Sequence, residues 1–275
     1  MIEAVESSRL RAYGYWAATL IIAAESALGG VWDVLRTDYV RDVLEVRLGY
    51  PWYVAVLLGV WKIPGAIVLI LPRLPRLKEW VYAGVVFVYS GAFVSHLAVG
   101  ETAAAFGPLG FALITAVSWA LRPESRRDPA PYGRAFARLL PKAPARRTAT
   151  TVVYWVTTVA FVGALFSGGI ADLLHREETL AGMVALGYPP YFLYIIGAWK
   201  VLGTAAFLAP GFGRLKEWAY AGAFFNFTGA AVSHAFSGSA SWHVVYTSLF
   251  ALTVLVSWAA RPPDRVLGDV RTGRA

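Results

Sequence analysis

The chain has no cysteine, which excludes disulfides, thiolate nucleophiles, dithiol exchange and cysteine-ligated iron–sulfur clusters within it. Charge is also scarce: 15% of the residues are Asp, Glu, Lys or Arg, where a soluble domain carries roughly 25%. Only four histidines occur in 275 residues, and there is no Ser-His-Asp set, phosphate-binding loop or zinc-ligand spacing. The first apolar run lacks a basic leader and a small-residue cleavage site, so it is not read as a removable signal. What is abundant is apolar. Hydrophobic residues make up 57% of the chain, mean hydropathy is +0.54, and 11 Trp help raise the aromatic share to 15%. Such rings favour the two membrane–water interfaces.

Eight runs of about 20 apolar residues follow one another, each the length that crosses roughly 30 Å of hydrocarbon as a helix. The expected spans are Tyr13–Trp32, Trp52–Leu71, Trp80–Val99, Thr102–Leu121, Thr150–Ile170, Pro190–Ala209, Trp218–Phe236 and Trp242–Ala260. The sequence thus predicts an all-α membrane protein with eight transmembrane helices. Of the 25 Lys and Arg, 19 fall in the termini and alternate loops, 4 in the other loops, and Lys62 and Lys200 inside spans. That asymmetry places both termini in the cytoplasm. It also explains the net charge of +8 as a topology signal, which removes nucleic acid as a partner and leaves the lipid bilayer.

A tandem duplication is plain. Leu48-Gly49-Tyr50-Pro51 recurs as Leu186-Gly187-Tyr188-Pro189, and Trp61-Lys62 as Trp199-Lys200. Leu77-Lys78-Glu79-Trp80 returns as Leu215-Lys216-Glu217-Trp218, Ser95-His96 as Ser233-His234, and Ser118-Trp119 as Ser257-Trp258. About half the positions across 48–96 are identical to their counterparts. An even number of spans per copy makes the two repeats enter the membrane in the same direction, unlike the inverted repeats of many transporters. The expected organisation is a first unit over 1–123, a basic Pro-rich linker over 124–148, a second unit over 149–262 and a tail over 263–275.

In order and twice over, the motifs Leu-Gly-Tyr-Pro, Gly-x-Trp-Lys, Leu-Lys-Glu-Trp-x-Tyr-Ala-Gly, Gly-Ala-x-x-Ser-His and Ser-Trp-Ala-x-Arg-Pro resemble the DoxX-like family of small four-helix membrane proteins. The resemblance covers roughly 13–123 and 152–262, and the departure is that two units are joined in one chain. It implies a four-helix bundle per unit in a bacterial or archaeal cytoplasmic membrane. The wider family includes proteins associated with quinone-linked sulfur oxidation and with oxidative-stress complexes, while most DoxX-like members have no assigned activity.

An ionisable residue deep in a span is costly and is a functional candidate by default. Lys62 lies eleven residues past Pro51, about 16 Å along a helix, and Lys200 matches it. Glu25 lies at a similar depth and is the expected partner of Lys62. Its counterpart is Ala164, so Asn226 and Thr228 are the expected polar neighbours of Lys200. His96 and His234 fall near the outer ends of their spans, and Ser95 and Ser233 are expected to bond to the preceding helical turn. No second histidine on an adjacent span of the same unit supports a haem. Lys78, Glu79, Trp80, Lys216, Glu217 and Trp218 read as interface anchors, and Asp33 and Asp172 as caps of span ends.

Two functions remain open on these residues. One is an accessory of a membrane redox system that binds an isoprenoid quinone or similar lipid. Its head group would be met by Lys62 or Lys200, by His96 or His234, and by Tyr50, Trp61, Tyr188 and Trp199, with electrons supplied by a redox partner protein. No cofactor is intrinsic to the chain. The other is a noncatalytic assembly factor or scaffold, with small-molecule transport a more distant third. The polar side chains become denser toward the outer half, so a pocket is expected to open there. No catalytic residue is assigned.

Overall fold

The computed structural model describes residues 2–72, 74–127, 148–209, 212–262 and 265–267, with backbone only for 2–8, 124 and 125. The described residues are almost entirely helical and include no strand. This is the outcome expected of apolar segments whose backbone groups must bond within the segment when water is absent. The chain divides into two compact units, 1–128 and 129–275. The expected linker lies for the most part (128–147) outside the described residues, as do tail residues 263–264 and 268–275.

The first unit contains α1 (Ile2–Leu35), a short rim helix α2 (Asp38–Val40) that continues as a π-helical stretch (Arg41–Arg47), α3 (Tyr53–Ile70), α4 (Pro75–Ala98), α5 (Thr102–Leu121) and α6 (Glu124–Arg127). The second contains α7 (Thr148–Leu173), α8 (Glu177–Ala185), α9 (Phe192–Leu208), α10 (Gly213–Phe236) and α11 (Ser241–Ala260). In each unit four long helices close a ring. α1 packs on α3, α3 on α4, α4 on α5 and α5 on α1, and the sequence α7, α9, α10, α11 repeats the arrangement. The end holding Asp33, Tyr50 and His96 is called the rim, and the end where α1 begins and α5 stops is the base.

Local sequence sets the breaks. Gly49 and Gly187 have φ of 72° and 86°, a left-handed turn that a side chain would strain. This is the physical content of the repeated Leu-Gly-Tyr-Pro motif, which turns the chain into α3 and α9. Pro75 stands in the first turn of α4, where its missing N–H costs nothing. The rim connections, read from sequence as loops, are helical at 38–47 and 177–185.

Among the described residues, six helical stretches are long and apolar enough to cross a membrane: 9–35 within α1, then α3, α4, α5, α7 and α11. The expectation was eight. α9 is apolar but 17 residues long, and α10 has 24 residues yet carries Arg214, Lys216, Glu217, Asn226 and His234. The side-chain arrangement suits lipid. Tyr15, Thr19, Ser26, Tyr82 and Ser118 are buried, whereas Leu20, Val31, Leu113, Val117 and Leu249 face outward. The chain is a multi-pass integral membrane protein.

Candidate functional site

The repeated lysines bridge helices. Lys62 on α3 places its Nζ 3.0 Å from Asp33 Oδ2 and 3.8 Å from Glu25 Oε1, both on α1. Lys200 on α9 donates to Asp172 Oδ2 on α7 at 2.7 Å. Glycine lets the backbones come this close. A Cβ added to Gly59 would run into the Gly30 carbonyl oxygen, and one on Gly169 would lie 2.8 Å from the Lys200 Cβ. The amines are paired on one side but not sealed, since their side chains stay 15% and 18% exposed.

This geometry corrects two expectations. Asp33 and Asp172 are not end caps, because α1 and α7 run on to Leu35 and Leu173 and turn both carboxylates inward, 6% and 4% exposed. Lys200 finds its partner in Asp172 rather than in Asn226 or Thr228, and the Thr228 hydroxyl bonds to the Phe224 carbonyl of its own helix at 2.7 Å. The Glu25–Lys62 pair is present, with Glu25 the more distant of two carboxylates.

Above the lysines, Tyr50 Oη and Ser95 Oγ are 2.8 Å apart, and Ser95 also donates to the Gly91 carbonyl one turn back. Tyr188 and Ser233 reproduce both bonds, with Gly229 as acceptor. The histidines diverge. His96 Nδ1 lies 2.8 Å from Glu101 Oε2, and Glu101 takes a two-pronged bond from Arg47 at 2.6 Å on each oxygen. Arg47, followed by His96, holds the Glu101 carboxyl below its ordinary range. His234 instead meets Ser239 Oγ at 3.0 Å and stacks on His243 of α11 with ring centres 4.8 Å apart, so, contrary to the expectation from sequence, a second histidine does stand on an adjacent helix of that unit. Trp61 and Trp199 precede the lysines along their helices and are half-buried.

At the base the expected anchors go inward. Lys78, Glu79 and Glu217 are fully buried and Lys216 nearly so, while Trp80 and Trp218 are half-buried. Lys78 donates to the Val68 and Leu69 carbonyls, satisfying the last turn of α3. Glu79 accepts from Arg122 at 2.7 Å and from Trp119 Nε1 at 2.9 Å, and Arg122 lies over the Tyr82 ring at 4.7 Å. Beside it Tyr82, Ser118 and Thr19 form a hydroxyl chain with links of 2.8 and 2.7 Å. Glu217, Arg261, Trp258, Tyr220, Ser257 and Thr158 repeat this network. The sequence reading missed Arg122 and Arg261. The signal was the joint recurrence of Glu79 with Trp119 and Arg122 in both copies.

Two like-built membrane bundles, each with a buried Glu–Arg–Trp base and a Lys–Asp clamp under a polar rim, define a duplicated four-helix membrane protein. The model of the DoxX-like family matches residues 17–118 and again 156–257. The chain belongs to that family and carries two copies of its unit. No curated protein and no solved structure matches it. Among the described residues, no group of three or more His, Asp or Glu is placed to hold a metal ion.

Proposed function

We propose that the protein is a membrane accessory of a redox system that binds an isoprenoid quinone or a lipid with a similar head group at the rim end of its units. The single observation behind this reading is the recurrent amine. Lys62 and Lys200 occupy matching places, each with carboxylate on one side and a part-exposed side chain on the other. An ammonium carries three donors, and acyl chains offer it no acceptor. A head-group oxygen in that position completes the shell. Tyr50, Tyr188, His96 and His234 lie toward the rim above it. A redox partner protein supplies the electrons in this reading.

The proposal includes eight crossings, because α9 and α10 stand where α3 and α4 stand in the first unit. It also includes a bacterial or archaeal cytoplasmic membrane with both termini on the cytoplasmic side, from the Lys and Arg asymmetry. A second reading, a noncatalytic scaffold, is favoured by the base networks, in which Glu79 and Glu217 are each bonded to an Arg and a Trp of their own unit. Organic extraction of the purified protein, followed by mass spectrometry and an absorption spectrum, separates the two. A quinone enriched well above its share in the membrane supports the accessory. Phospholipid in bulk proportion, with no enriched species, leaves the scaffold.

A further inference from the structure

We infer that the first unit alone carries the head-group site, formed by Tyr89, Lys62 and Glu25, and that the second unit is a copy in which the polar partners of the lysine have been replaced by apolar residues. The inference rests on the reading above and narrows it to one place and one ligand per chain.

Tyr89 carries the argument. It is 6% exposed, its hydroxyl is buried with no hydrogen-bond partner, and its ring lies 5.9 Å from the Lys62 amine. Buried hydroxyls are nearly always bonded, so an orphan next to an amine calls for a missing acceptor. The ring itself has a packing role, stacked on Phe111 with centres 5.2 Å apart and planes at 27°. The second unit keeps that stack as Phe227 on Phe250, at 5.0 Å and 22°. The duplicated bundle therefore packs equally well without the oxygen. Packing accounts for the ring but not for the hydroxyl.

The carboxylates point the same way. In the second unit one Asp balances one Lys, through Asp172 and Lys200. In the first unit Asp33 already balances Lys62, and Glu25 adds a second carboxyl 3.8 Å from the amine, with Ser26 donating to it at 3.5 Å. The counterparts of Glu25 and Ser26 are Ala164 and Leu165. Glu25, the Ser26 that bonds to it and Tyr89 are thus all exchanged for apolar residues in the second copy. The exchange of Val88 for Asn226 runs in the other direction, and Asn226 makes no hydrogen bond to Lys200.

The site offers an O–H donor from Tyr89, N–H donors from Lys62 and a carboxyl that accepts or, when protonated, donates. These fit a carbonyl oxygen on a membrane-soluble molecule. A quinone carbonyl and a phospholipid ester carbonyl share that chemistry.

The test uses the full chain in nanodiscs, with decyl-ubiquinone as the quinone probe and either ester-linked or ether-linked phosphatidylglycerol as the lipid. Tyr89→Phe and Glu25→Ala write the second unit's residues into the first, so each is a change the fold already accommodates; single-species elution checks this. The expected result is one quinone per wild-type chain, with binding at least tenfold weaker in either variant. Adding Phe227→Tyr and Ala164→Glu to the wild type should raise the count to two. If the ester lipid is the occupant, quinone is not bound, and one tightly held lipid disappears in Tyr89→Phe and in ether-lipid discs. Two quinones per wild-type chain would overturn the inference while leaving the proposed function standing. Unchanged binding in Tyr89→Phe would do the same. Absence of both bound quinone and retained lipid would overturn both.

Discussion

Asp33 stands two residues before the end of α1, buried against the Lys62 amine at 3.0 Å, with Glu25 further off at 3.8 Å. Removing one member of a buried pair costs about 3–5 kcal/mol because the other charge is stranded. Asp33→Asn should therefore lower the unfolding free energy in mild detergent by about that much, and Glu25→Gln by clearly less. The double change Asp33→Asn, Lys62→Met should recover most of the loss, and a Glu25→Gln effect as large as that of Asp33→Asn would contradict the ranking of the partners. Glu101 gives a pH prediction. Its carboxyl sits below the ordinary value near 4.5, chiefly through Arg47 and then His96. A carboxylate lowered by folding adds stability above that ordinary value and loses it as pH falls through the folded one. Thermal melts between pH 6 and 3 should thus fall less steeply in Glu101→Gln than in the wild type.

At the scale of the helix pair, glycine decides how close α1 and α3 lie. A Cβ on Gly59 meets the Gly30 backbone and Val34, none of which can swing aside, whereas one on Gly203 meets nothing within 4 Å. Gly59→Ala should separate the helices, loosen the Lys62–Asp33 pair and cost more than 2 kcal/mol, in the range of overpacked cores. Gly203→Ala should be neutral or stabilising by up to about 1 kcal/mol through helix propensity. Both are read from thermal shifts. These helices also show what the sequence did and did not disclose. Periodic apolar runs and recurring motifs located the bundles, and depth counting put Lys62 and Glu25 at one level. Counting could not show that α1 continues past Trp32 to Leu35, and that extension is what turns Asp33 from a cap into a partner. The Glu79–Arg122 pair joins residues 43 apart across α4 and the end of α5. A charge beside a Trp at a span end looks the same from sequence whether it faces headgroups or a neighbouring helix. Only the recurrence of all three residues in both copies distinguishes the cases.

For the whole molecule, the Lys and Arg asymmetry leads to a proposed topology in which each unit turns its rim to the outer side of the membrane. In the proposed topology of eight crossings, each unit returns the chain to its starting side. A chain without cysteine allows a direct measurement. Thr102 and Ala240 are exposed at the rim ends of the first and second units, and Ala145 belongs to the linker. Single cysteines at these three positions are treated with a membrane-impermeant maleimide in intact cells. The account predicts labelling at 102 and 240 alike, and at 145 only after the cells are opened. Labelling of 102 and 240 from opposite sides, or of 145 in intact cells, would contradict it.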